Sequence, residues 1–222
     1  GKRPVTPISA IRIARALGLS PSLLIKLQAE YDMGRAKIAE RDSKRKNEIK
    51  ELQKMASCYQ ELVERGYVEK ADNSADRLEN LLNFFGVSSL SLIKSVVPSA
   101  FRLSAKKDTD PISVAAWLRI GEIEAQKKDV ADFNSPLLKE NVQKMRELTA
   151  LEAHEYTEKL VELCAEAGIV LQYTPYFKKT HISGATRWIS PQQALIQMSL
   201  YYKYTDAFWF TLFHEIGHLL LT

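Results

Sequence analysis

The chain contains His214-Glu215-Ile216-Gly217-His218, an HExxH spacing. On an α-helix, positions four apart share a face, so both imidazoles aim at one point while Glu215 stands on the adjoining side. Neutral imidazole nitrogens are good zinc ligands, and zinc lowers the pKa of a bound water toward neutrality. A carboxylate beside that water can accept its proton as the resulting hydroxide attacks a carbonyl, so peptide-bond hydrolysis is the natural use. Phe208, Trp209, Phe210, Leu212, Phe213, Leu219, Leu220 and Leu221 surround the motif. Two histidines and a carboxylate buried among them would be costly unless a metal or a polar network satisfied them. His214 and His218 are therefore expected metal ligands for zinc, and Glu215 the catalytic base.

The elements needed to hold this helix are readable upstream. Asp206 can cap it. Ahead of it lie three stretches rich in β-branched and aromatic residues, Ile169 to Tyr176, Ile182 to Ser190 and Ala194 to Tyr202, separated by turn signals, which predict three short strands. A helix over Glu152 to Ala167, with Tyr156, Leu160 and Leu163 on one face and Gly168 as its stop, precedes them. Helix, small sheet, helix is an α+β arrangement, and the change of period places a domain boundary close to residue 150. Small Gly184 and Ala185, with Ser183 beside them, would let an extended substrate backbone pair with the second stretch as an edge strand beside the metal helix. An ordinary half-buried strand with Trp188 in the core is the equal alternative.

Before residue 150 the pattern is helical throughout. Thr6-Pro7 and Ser20-Pro21 each set a hydroxyl before a proline at a helix start. The first helix should run from Pro7 to Leu17, with an apolar stripe of Ile8, Ile11, Ile13, Ala14 and Leu17, and end on a left-handed Gly18. A long, charge-dense helix should follow from Pro21 to Arg65, with a break near Gly34 and a packing seam of Ile49, Leu52, Ala56, Tyr59 and Val63. Further helices are expected around Leu78 to Phe85, Leu90 to Val97 before Pro98, Ile112 to Ala125 behind Asp110-Pro111, and Ser135 to Leu148. The expected fold is mainly α with a C-terminal α+β domain.

Composition narrows the function classes. The 222 residues carry 31 Lys+Arg against 27 Asp+Glu, a formal charge of +4, and 45% are hydrophobic, which excludes general disorder and leaves a basic balance too slight to require nucleic acid. No apolar run approaches the roughly 20 residues of a bilayer span, and GKRPVTPISA lacks the apolar core of a secretory signal. Cys58 and Cys164 stand in no metal or disulfide spacing. No membrane partner and a reducing cytoplasm are the expectation.

FTLFHEIGHLLL, Phe210 to Leu221, resembles the metal helix of the ImmA/IrrE-type metallopeptidases, and LCAEAGIVLQYTPYF, ISGATRWIS and ALIQMSL resemble the strands of a branch joined to Cro/C1-type DNA-binding domains, the HigA-like antitoxins and regulators. That likeness covers Glu152 to Thr222. GKRPVTPISAIRIARALGLSPSLLIKLQAEYDM resembles the two helices that follow the recognition helix of a HigA-type helix-turn-helix domain. The resemblance implies a zincin-like peptidase domain over 151–222, a helical linker or scaffold over 36–150, and the back half of a helix-turn-helix domain over 1–35. The major-groove reader itself would lie outside this chain, so DNA would be read only through a longer protein.

In the same family the third zinc ligand is an acidic residue downstream of the helix, whereas this chain ends four residues after His218. The expectation is a fragment truncated at both ends and catalytically inert as it stands. In full length it would be a regulatory zinc metalloendopeptidase acting on a protein partner, a repressor or toxin, in a toxin-antitoxin or repressor-control circuit. The alternative is a non-catalytic antitoxin or transcriptional regulator whose peptidase-like domain senses a signal or binds a partner. A third possibility makes the helical middle a dimerisation scaffold, with a homodimer as the consequence. His181, in a loop before a strand, His154, and the Glu152, Glu155, Glu158, Glu162 and Glu166 face are read as exposed.

Overall fold

The structure is a computed structural model and describes residues 4–96, 109–199 and 204–221. Contacts divide the chain into two compact units, Gly1–Gln53 and Lys54–Thr222. It is mainly helical, with one small mixed sheet on the C-terminal side.

The first unit holds α1 (Pro7–Leu17) and nearly all of α2 (Pro21–Lys54). Thr6 begins α1 as a capping box: its Oγ1 accepts from the Ser9 amide at 3.3 Å, and the Thr6 amide donates to Ser9 Oγ at 2.7 Å. Gly18 ends it at φ 67°. Of the expected apolar stripe only Ala14 is buried, together with Ala10; Ile8, Ile11, Ile13 and Leu17 are exposed. α2 runs through Gly34 without the expected break.

The second unit begins where a break does occur. At Met55 the backbone leaves helical geometry and α3 (Ala56–Glu64) starts anew. The restart moves the buried line to Met55, Cys58, Tyr59 and Leu62, and Ala56, expected in the seam, is exposed. α4 (Ser74–Phe85) is capped by Asn73, whose Oδ1 accepts from the Asp76 amide at 2.9 Å. Then come a 3-10 turn (Leu90–Leu92) and the short α5 (Ile93–Val96); the Pro98 stop lies outside the described residues. α6 (Pro111–Ala125) starts on Asp110, whose carboxylate takes the amides of Ile112 and Ser113, both at 3.2 Å. α7 (Ser135–Leu148) and α8 (Ala153–Glu166) follow.

Gly168, at φ 79°, turns α8 into the sheet. A Cβ there would run into the Phe133 backbone, so the position excludes larger residues on both counts. β1 (Ile169–Tyr173), β2 (Gly184–Ser190) and β3 (Gln193–Met198) take the order β1-β3-β2, with β1 parallel and β2 antiparallel to β3. The expected continuation of the third strand over Leu200 to Tyr202 lies outside the described residues. Central β3 is buried from Ala194 to Met198, as a strand covered on both faces must be.

Its alternation separates two packing surfaces. Ile169, Leu171, Ala194, Ile196 and Met198 pack in one core with Leu138 and Met145 of α7, Leu160 and Cys164 of α8 and the final helix. Val170 and Leu195 face the other way and pack with Ala125 of α6. On that second face Gln197 Nε2 donates to the Trp117 carbonyl at 2.7 Å, and Gly121 leaves the space its side chain fills. The segments on either side of residue 150 thus share one unit. Trp188, half exposed, sets its ring edge-on to Phe133 at 4.8 Å instead of entering the core.

Burial pushes the Cys164 thiol up to about 12 from an ordinary value of 9.0. Burial first, then the Asp110 and Glu61 carboxylates, does the same to Cys58, also to about 12. Both folded values lie above the unfolded one. Their contribution to stability is therefore complete below about pH 9 and is lost as the pH rises toward 12. Denaturant unfolding across that window should give a falling stability, and both thiols should resist alkylation until the chain unfolds; alkylation of the native protein at the rate of a free thiol would contradict this burial.

Candidate metal centre

The last helix, α9 (Thr205–Leu220), begins after Tyr204, which has extended backbone (φ −106°, ψ 134°) and makes no side-chain cap. Asp206, expected as the cap, lies in the first turn, its Oδ1 accepting from the Ala207 amide at 2.8 Å. Phe208, Trp209, Leu212, Ile216 and Leu219 recur at helical spacing and are buried in the core with α7 and α8. Aromatic contacts fix the entry: Tyr156 of α8 meets Trp209 at 4.8 Å and Phe208 at 5.9 Å, ring centre to ring centre.

With that face spent on the core, Phe210, His214 and His218, each four apart, fall on the outer face. Phe210 is 75% exposed, and both histidines are exposed. The apolar flanks suggest buried imidazoles; in the structure the flanking residues are divided between two faces, and of His214, Glu215 and His218 only Glu215 is buried.

The two imidazoles converge. His214 Nε2 and His218 Nε2 are 3.2 Å apart, with ring centres at 4.8 Å and planes crossed at 86°. Two nitrogens held about 2.05 Å from one tetrahedral zinc would stand about 3.3 Å apart, so the spacing suits a shared metal. Phe210 stacks on His214 from the turn below, with centroids 6.3 Å apart and planes at 16°. Among the described residues no group of three His, Cys, Asp or Glu side chains forms a complete metal shell.

Glu215 is held by β2. Thr186 Oγ1 donates to Glu215 Oε2 at 2.7 Å and also lies 3.0 Å from the Glu215 carbonyl oxygen. Gly184, two residues earlier on the same face, leaves the room: a Cβ there would stand 2.7 Å from Thr211 Cγ2 and 3.0 Å from Glu215 Cγ. Its smallness thus admits α9, a role distinct from the expected approach of a substrate backbone. Ala185 is buried, on the opposite side of the strand. Ser183 lines an open groove with Asp206, Ala207, Phe210 and Thr211, alongside the exposed face of α9.

The remaining candidates are placed plainly. His181, at φ 49°, turns its ring toward Tyr176 at 6.4 Å. His154, the cap residue Glu152 and the four α8 glutamates from Glu155 to Glu166 are exposed. Thr186 is the residue that sequence reasoning missed. Strand alternation carried the signal, because Gly184 and Thr186 share a face and the polar one needs a partner there. No family model matches the sequence, and neither does any curated protein or solved structure.

Replacing Thr186 by Val keeps the shape and removes the donor, leaving a buried carboxylate short of a hydrogen bond at a cost of about 2 kcal/mol. Thr186→Ser should restore most of that stability. Chemical denaturation of the two variants checks the pair; equal loss in both would mean that packing of the Thr methyl, and not the hydroxyl, holds Glu215.

Proposed function

We propose that α9 and β2 form the core of a zinc peptidase site, with His214 and His218 as two protein ligands and Glu215 as the general base. The observation that carries this reading is the pair of imidazole nitrogens 3.2 Å apart on the exposed face of a helix whose intervening carboxylate is anchored separately by Thr186. An exposed ligand pair is open to an incoming peptide, and a base positioned by its own hydrogen bond does not need the metal to orient it.

When bound, zinc would polarise the carbonyl under attack and make water a competent nucleophile at neutral pH. Glu215 takes the proton of the attacking water and returns it to the leaving amine, its Oε2 held by the Thr186 hydroxyl. The groove of Ser183 and Phe210 beside the histidines is where the peptide would lie. Catalytic zinc sites take three protein ligands. The resemblance to ImmA/IrrE-type peptidases supplies an acidic side chain as the third, and a regulatory protein partner as the substrate class. The resemblance of the N-terminal helices to part of a HigA-type domain extends the proposal to a repressor or antitoxin setting, with DNA contact made by a complete helix-turn-helix domain.

A second reading rests on the same exposed face. Phe210, 75% exposed, lines the groove, which suits docking of a partner protein without cleavage. Glu215→Gln, made in the full-length protein, separates the two. As a peptidase base, Glu215 should be dispensable for zinc uptake, measured by elemental analysis after desalting, while cleavage of a peptide library falls by about a hundredfold or more. His214→Ala and His218→Ala should each lose zinc. Zinc uptake that survives both histidine variants would overturn the metal assignment, and a variant that keeps both zinc and cleavage without the carboxylate would overturn the role of Glu215.

A further inference from the structure

The outer face of α9 carries a line of four side chains, each four residues from the next: Asp206, Phe210, His214 and His218, all exposed. Residues at that spacing follow one another along one side of a helix. The proposed metal centre uses the last two. The first two, with Ser183, Ala207 and Thr211, line the open groove, whose volume is about 550 Å³. Phe210 joins the groove to the metal centre, because its ring stacks on His214.

Asp206 is the one charged group among the described residues that line this groove. Its Oδ1 accepts from the Ala207 amide at 2.8 Å; among the described residues Oδ2 takes no hydrogen bond and the carboxylate makes no ion pair. An acid in the first turn of a helix is favourable in itself, and one oxygen on a backbone amide is enough for that role. The second oxygen is left to solvent. Thr211, by contrast, is committed, its Oγ1 donating to the Ala207 carbonyl at 2.8 Å. One turn on from the carboxylate, the exposed Phe210 ring offers apolar area and a face that attracts positive charge. A neutral guest would cover the carboxylate without replacing its water, and an acidic one would be repelled.

We propose that the groove selects peptides with a basic residue, the stem of a lysine or arginine lying against Ala207 and Phe210 and its cationic end meeting Asp206 Oδ2. Long cationic side chains combine the two properties the lining asks for, an apolar stem and a charged head. The inference rests on the reading that a peptide lies in this groove, whether it is cleaved or only held. Asp206 stands ten residues before the middle of the histidine pair, about 15 Å along the helix axis. An extended peptide advances about 3.4 Å per residue, so the basic residue would sit about four residues from the bond that faces the metal. Asp206 is then a specificity-determining residue that touches none of the reacting atoms.

Blocked alanine peptides with a single central arginine or norleucine test this by titration into the metal-free chain, read from backbone amide resonances. The arginine peptide should move the amides of Ala207, Phe210 and Thr211 and bind about threefold more tightly than the norleucine peptide, the scale of an exposed ion pair. That margin should vanish at high salt and in Asp206→Asn, which keeps an oxygen for the Ala207 amide while removing the charge. Phe210→Ser should weaken both peptides, and it tests the groove should Asp206→Asn fail to fold. The proposal is overturned if the norleucine peptide binds as tightly as the arginine one, if the margin survives Asp206→Asn, if Phe210→Ser leaves both affinities unchanged, or if the three amides stay in place. No zinc enters these titrations, so such a failure leaves the histidine assignment standing, and loss of that assignment would leave the titration result standing.

Discussion

A buried carboxylate between a helix and a strand sets the terms for the C-terminal unit. Glu215 can leave water only because Thr186 gives it a hydrogen bond, and Thr186 can reach it only because Gly184 lets α9 approach β2. That approach needs a strand fixed in place, which β3 provides by pairing with β2 from Gly184 to Trp188. Parallel pairing with β1 and burial on both faces then fix β3 itself. The exposed imidazole pair follows, since a helix that aims residues 208, 212, 215, 216 and 219 inward has residues 210, 214 and 218 left to face out.

Much of this frame is legible in the sequence, because helix starts and stops are local. Thr6, Asn73, Asp110 and Asn134 cap helices with their own side chains, and Gly18 and Gly86 end two of them in left-handed geometry. The three strands stand where β-branched and aromatic runs put them. The break at Met55 has no such local signal: no proline or glycine marks it, and periodicity alone continues the helix into the next one. Exposure was also hidden. Ile8, Ile11 and Leu17 make a stripe by spacing, yet α1 buries Ala10 and Ala14 instead. Around the metal motif, apolar density suggested histidines in a core, whereas helical phase divides that density between two faces. Partners across elements are the least legible of all, as Thr186 for Glu215 and Gln197 for Trp117 illustrate; each joins residues far apart in the chain.

The sheet gives its edge strand two chemically different sides. Thr186 serves the helix that carries the histidines, and the next residue, Arg187, faces α6, where it donates to the Leu118 carbonyl oxygen. Among the described residues no helix is long and apolar enough to cross a membrane.

The chain has four histidines, and the proposed centre uses two of them. Imidazole nitrogen chemical shifts followed during zinc addition to the unmodified protein test that claim most directly. Nε2 of His214 and His218 should move together to metal-bound values, with His154 and His181 unchanged. Shifts spread equally over all four, or confined to His154 and His181, would contradict a metal centre on α9.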